Sequence, residues 1–159
     1  MLKNIHLSVL LFLFLPLEYP DLPEISLKST ENRIYELKKD FSEKDKLYVF
    51  SFWATWCVPC IRELDEISDV YDDWKKEVYM ELIAISTDDT RTEKRVKPLV
   101  NGKGWPFKIL LDTNQELKRR LGISDMPYVI VVKNGKIIHT HSGYTPGSET
   151  EFFEKLKTM

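Results

Sequence analysis

The chain has 159 residues, 43% of them hydrophobic and 30% charged, with 23 basic and 25 acidic side chains giving a formal net charge of −2. That balance describes one globular domain with its own core and excludes a disordered chain; it offers no electrostatic reason to bind nucleic acid or an anionic membrane surface. Two cysteines in all exclude a scaffold stapled by several disulfides.

The first seventeen residues stand apart. Lys3 is their only charged side chain, and residues 8–17 (SVLLFLFLPL) are almost wholly apolar. A membrane-spanning helix needs about 20 apolar residues, so a run half as long fits the apolar region of an export signal. No small-x-small cleavage site precedes the polar switch at Glu18. Residues 1–18 therefore read as a signal peptide or a short retained anchor, with an apolar core helix as the plainer alternative. Export would place residues 19–159, read as a single domain, where disulfides form and persist.

Pro20-Asp21-Leu22-Pro23 is a rigid entry. Residues 25–28 and 33–37 predict two short strands about a turn at Thr30-Glu31-Asn32, and residues 40–46 a charged connector. Leu47–Trp53 is a continuous apolar run of strand formers, expected as a central strand buried on both faces. Residues 58–76 carry Ile61, Leu64, Ile67, Val70, Tyr71 and Trp74 at helical spacing. A second buried strand follows at 78–86, then a helix at 91–100 broken by Gly102-Lys103-Gly104. A short strand at 107–111 leads to a short helix at 115–121 closed by Gly122. Residues 128–133 and 136–141 flank Asn134-Gly135, a strong signal for a two-residue hairpin. A final amphipathic helix covers 149–157. This alternation makes an α/β domain with a mixed sheet and helices on both faces: parallel where helices cross over, antiparallel at the hairpin.

Both cysteines lie in Trp56-Cys57-Val58-Pro59-Cys60, at the junction of the central strand and the long helix. A Cys-x-x-Cys in that place is a redox pair in which one thiol attacks and the other resolves. Cys57 falls at the helix start, where unpaired N–H groups and the helix dipole favour a thiolate. It is expected as the exposed nucleophile, with Cys60 one turn deeper as the buried resolving thiol. Val58 and Pro59 tune the pair by the N–H groups they offer, and Pro59 offers none. Glu63 lies one helical turn after Cys60 on the same face, placed to take the Cys60 proton; the alternative is a solvated glutamate favoured by the dipole. Trp56 reads as substrate-facing surface and Trp53 as core. Asp88-Asp89 read as a solvated loop at a strand end, His139 and His141 as surface residues of one strand face. A zinc site needs four ligands, and those two histidines are the only other soft candidates, so neither a metal nor a cofactor is expected.

The stretch Phe52-Trp53-Ala54-Thr55-Trp56-Cys57-Val58-Pro59-Cys60, with Glu63 behind it, resembles the thioredoxin superfamily, and more narrowly the TlpA/ResA-like thiol-disulfide oxidoreductases. The resemblance runs from about residue 20 to the C-terminus. It implies a thioredoxin-like fold with an N-terminal β-hairpin extension and an inserted segment between Ser86 and Met126. It implies a cis proline, Pro127, facing the cysteines, with the Met126 backbone pairing an extended substrate segment; Tyr128 stands where the family usually has Thr. Gly143 is placed to face the site, or to serve as a simple turn. Thioredoxins proper carry a buried Asp where this chain has Ser51; in the TlpA/ResA-like group the acid is the glutamate that Glu63 matches. The resemblance further implies protein substrates with disulfides or dithiols, apocytochrome cysteines being one known class, and a membrane-embedded thiol carrier as electron donor. A monomer is the default.

Three other functions compete. An oxidant or isomerase has the same fold and differs only in potential. A peroxiredoxin wants Pro and Thr seven and three residues before its reactive Cys, where this chain has Phe50 and Ala54. A thioredoxin-like binding module would not need an intact Cys pair.

Overall fold

The computed structural model describes residues 20–159. The expected leader, residues 1–18, lies outside them. Among the described residues, no helix is long and apolar enough to cross a membrane.

Among the described residues, seven strands form one sheet in the order β2-β1-β5-β4-β3-β6-β7. They are β1 (Ser26–Ser29), β2 (Ile34–Glu36), β3 (Leu47–Trp53), β4 (Met80–Ser86), β5 (Lys108–Leu111), β6 (Tyr128–Lys133) and β7 (Lys136–Ser142). The helices are α1 (Leu37–Asp40), α2 (Val58–Glu77), α3 (Val96–Lys103), α4 (Glu116–Arg120) and α5 (Ser148–Leu156). β3, β4 and β5 run parallel, whereas β6 and β7 return antiparallel beside β3. The β1–β2 hairpin adds to the far edge through β5. This is the expected mixed sheet of a thioredoxin-like fold.

β3 is buried at all seven positions because both faces of the sheet are covered. Its alternate side chains enter two separate cores. Leu47, Val49 and Trp53 join α2, α3 and α5 on one face; Tyr48, Phe50 and Phe52 join α1, α4 and the N-terminal segment on the other. The Asn134-Gly135 turn has φ of 51° and 76°, the left-handed pair that a two-residue hairpin demands. The N-terminal segment closes the hairpin end of β7: Leu22 N–H donates to Gly135 O (3.0 Å), Ile137 N–H donates to Pro20 O (2.9 Å), and Asp21 bridges to Lys136.

Three local expectations change. Leu37, expected to end the second strand, instead opens helix α1, which runs to Asp40 at the head of the charged connector, and Leu37 and Phe41 (0% and 1% exposed) plug this turn into the core. The helix expected at 91–100 starts later, as a 3₁₀ turn at Glu93–Arg95 followed by α3. Pro98 falls in the first turn of α3, where its missing N–H costs nothing. Gly102 does not break α3, which ends at Gly104 (φ 65°) with that residue's N–H on Val100 O.

His139 and His141 are half-buried rather than surface residues. A bulge between Val131 and Val132 leaves one extra residue, Ile138, in β7. It keeps both histidines on the face that α5 covers, with the His141 ring 6.3 Å from that of Phe152. Burial, Lys155 and His141 together push the His139 pKa down.

Candidate redox site

The site is built where β3 ends and α2 begins. Cys57 is the N-cap of α2 in extended conformation, and its N–H closes a turn on Ala54 O at 2.9 Å. Cys57 and Cys60 are joined in a disulfide, with S–S 1.98 Å and Cα–Cα 5.3 Å. Pro59 lies in the first turn, and no acidic residue does, so nothing there opposes the positive end of the helix dipole.

Cys57 is 5% exposed and Cys60 0%. Cys57 is therefore more accessible than Cys60, yet it is not the exposed group that was expected: its sulfur is turned inward to Cys60, in the core that holds Trp53 and Ala54. What stands out beside it is apolar surface. Trp56 and Val58 are each 58% exposed and Pro59 is exposed with them, while Trp53 is fully buried and meets Trp105 edge-on at 5.0 Å.

Glu63 is 5% exposed, on the buried face of α2. Its Oε2 accepts the Ser51 hydroxyl at 3.3 Å. The carboxyl group thus reaches, from the helix, the strand position where thioredoxins proper place their aspartate. Burial pushes its pKa up to about 7, opposed by the Ser51 hydrogen bond and reinforced by the charge of Glu149.

The Met126–Pro127 peptide bond is cis. β6 pairs antiparallel with β3 up to Phe52↔Tyr128; the same register carried on sets Pro127 beside Trp53 and Met126 beside Ala54. Thr87 ties the junction. Its N–H donates to Trp53 O (2.8 Å), and its Oγ1 lies 3.2 Å from both Trp53 O and Met126 Sδ. Met126 is half-buried and Pro127 buried. Gly143, with φ 82°, donates its N–H to Pro127 O at 2.9 Å.

Asp88 contradicts the reading of Asp88-Asp89 as a solvated loop. It is 1% exposed and accepts Thr55 N–H (2.8 Å), Thr55 Oγ1–H (2.6 Å) and Ser86 Oγ–H (2.9 Å). Only Asp89 faces solvent, paired with Arg91. The contact joins residues 33 apart, so no local motif announces it. The signal lies in the two strand ends: the parallel register Trp53↔Ser86, continued by two residues, sets Thr55 beside Asp88. Asp65 was missed for the same reason. It accepts Trp105 Nε1–H at 2.9 Å and pairs with Lys103 at 2.6 Å, latching the inserted segment to α2.

Comparison with known proteins agrees with this geometry. Residues 20–141 match the AhpC/TSA family. Thiol-disulfide oxidoreductase ResA of Bacillus thuringiensis (strain Al Hakam) is 29% identical over 137 residues, spanning 86% of this chain and 76% of its own. ResA of Oceanobacillus iheyensis is 32% identical over 117 residues, 72% of this chain and 59% of its own. A thioredoxin-like protein from Porphyromonas gingivalis superposes with a TM-score of 0.75 at 42% identity, covering 86% of this chain and 90% of that one. StoA from Bacillus subtilis shares the fold at a TM-score of 0.65 and 20% identity, covering 83% and 99%. The chain belongs to the AhpC/TSA family and is, within it, a thioredoxin-like thiol-disulfide oxidoreductase of the TlpA/ResA kind.

Proposed function

We propose that this protein works outside the cytoplasm, as a monomer, reducing disulfides in other exported proteins through Cys57 and Cys60, with Glu63 as the proton acceptor. The observation that carries the reading is Glu63 itself: a buried carboxyl group with its pKa near 7, one turn from a fully buried Cys60. A base tuned to neutral pH beside a resolving thiol is what the second half of the exchange requires.

The Cys57 thiolate attacks a substrate disulfide, forming a mixed disulfide and releasing one substrate thiolate, which takes a proton from water. Cys60 then passes its proton to the Glu63 carboxylate. The Cys60 sulfur attacks Cys57 Sγ, the mixed disulfide breaks, and the second substrate sulfur leaves as a thiolate, which takes a proton from water. Two electrons have moved to the substrate and Cys57–Cys60 is oxidised. A membrane-embedded thiol carrier restores the dithiol. Trp56, Val58 and Pro59 form the apolar platform that receives the substrate, and the Met126 backbone before Pro127 pairs with its extended chain. Apocytochrome cysteines awaiting haem are one substrate class of this chemistry. The apolar leader supports the extracytoplasmic setting. The peroxidatic alternative finds fully buried Phe50 and Ala54 where it needs Pro and Thr.

Equilibrating the protein in glutathione or dithiothreitol buffers and trapping free thiols with a mass tag yields the potential of the couple. A value near or below about −250 mV is expected for a reductant. A value of about −120 to −180 mV would instead make it an oxidant or isomerase.

A further inference from the structure

Three carboxylates are buried among the described residues: Glu63, Asp88 and Asp112. Asp112 accepts the N–H groups of Leu117 and Lys118 and so caps α4. Glu63 faces Ser51. Asp88 caps no helix and pairs with no cation among the described residues, yet it gathers three short hydrogen bonds, two of them from Thr55. Burying a carboxylate is costly unless donors surround it, so this carboxylate is held in place for what it holds.

What it holds is the turn that carries the redox pair. The Cys57 side chain is committed to the disulfide and makes no capping hydrogen bond to α2. Thr87 holds Trp53 O before the turn and Ile61 N–H holds Cys57 O after it; within the turn the backbone is otherwise tied by Cys57 N–H on Ala54 O. The Trp56 side chain projects into solvent, so its direction is set by the backbone on either side. Asp88 grips the residue just before it by both its N–H and its hydroxyl. Ser86 braces Asp88 in turn: its hydroxyl donates to the carboxylate and accepts the Asp88 N–H at 3.2 Å.

We propose that Asp88 is a positioning residue for disulfide exchange: by clamping Thr55 it fixes the Ala54–Cys57 turn, presents Trp56 and Cys57 to the substrate, and holds Cys57 where Cys60 can close on it. The proposal rests on the assignment of Cys57 and Cys60 as attacking and resolving thiols. Both steps depend on pre-set geometry, because a misplacement of about 1 Å can cost about a hundredfold in rate.

The test compares full-length wild type with Asp88→Ala, Asp88→Asn, Thr55→Val and Cys57→Ser. The readouts are kcat and KM for insulin disulfide reduction and the equilibrium constant of the Cys57–Cys60 couple against glutathione. Asn keeps the clamp, since its Oδ1 accepts Thr55 N–H while its Nδ2 donates to a rotated Thr55 hydroxyl. Asp88→Ala is expected to lower kcat/KM by about tenfold or more and to weaken ring closure about tenfold, a shift of about 30 mV in the oxidising direction. Asp88→Asn is expected to stay within about threefold of wild type on both readouts. Unchanged readouts in Asp88→Ala overturn the proposal, as does an Asn variant equally impaired, which would assign the effect to charge. If Asp88→Ala does not fold, Thr55→Val decides, because it removes one donor and keeps shape: a loss in kcat/KM and ring closure supports the clamp, and wild-type values overturn it. A wild type no more active than Cys57→Ser would sink the redox assignment itself, and the clamp with it.

Discussion

The two faces of the central strand are built to different rules. On one, Tyr48, Phe50 and Phe52 pack into an apolar core where Phe41 meets Phe50 and Tyr48 edge-on at 5.3 and 5.4 Å. On the other, the same strand contributes Leu47, Val49 and Trp53 to a core that also holds the Cys57–Cys60 pair, and Ser51 turns to a buried carboxyl group. Trp53 there buries an indole N–H with no hydrogen-bond partner among the described residues. The apolar face supplies stability. The other gives some of it up to hold polar and reactive groups out of water.

Substitutions on the two faces should therefore fail in different ways. The largest effect lies in the pair itself. Cys57→Ser should abolish turnover, and Cys60→Ser should accumulate a covalent adduct with a disulfide substrate, visible on a non-reducing gel. Absence of that adduct would reverse the assigned roles.

On the apolar face, Phe50→Ala should cost about 3–5 kcal/mol of stability in denaturant unfolding, with the potential of the folded molecules unchanged. A shifted potential would mean the two cores are not separable.

On the reactive face, Glu63→Gln should reverse the sign. The folded-state pKa of Glu63 is raised from 4.5 to about 7, so the native state holds its proton more tightly than the unfolded chain. The associated stability is full below pH 4.5 and is lost as pH rises through about 7. Above that window the Gln variant should be the more stable by roughly 3 kcal/mol, while resolving mixed disulfides more slowly. Parallel stability profiles for variant and wild type between pH 4 and 8 would place the ionising group elsewhere.

How far the sequence could be read depended on whether the information was local. Leu47–Trp53 announces itself because a strand buried on both faces needs an unbroken apolar run. The β6–β7 turn is legible because Asn-Gly is what its left-handed backbone requires. Cys57, Trp56 and Pro59 are contiguous, and the position of Glu63 on the buried face of α2 follows from helical spacing. Helix α1 was hidden because four residues have no periodicity; two core contacts, not propensity, make it. His139 and His141 were misread because one extra residue in β7 changes which face they share with the helices. Asp88 was misread because its partner is 33 residues away and adjacent only through strand register.

Sheet edges are where folded proteins stick to one another, and this sheet leaves little edge to stick to. β2 is three residues long. At the opposite margin, Pro20 and Leu22 occupy the backbone groups of Ile137 and Gly135, and Asp21 sits against Lys136. The ladder open to a neighbour is then reduced to the part of β7 beyond Ile137, and the bulge at Ile138 interrupts its regular spacing just where that part begins. The consequence is colloidal: among the described residues, crowded molecules present no long, flat margin along which sheets could join into fibrils.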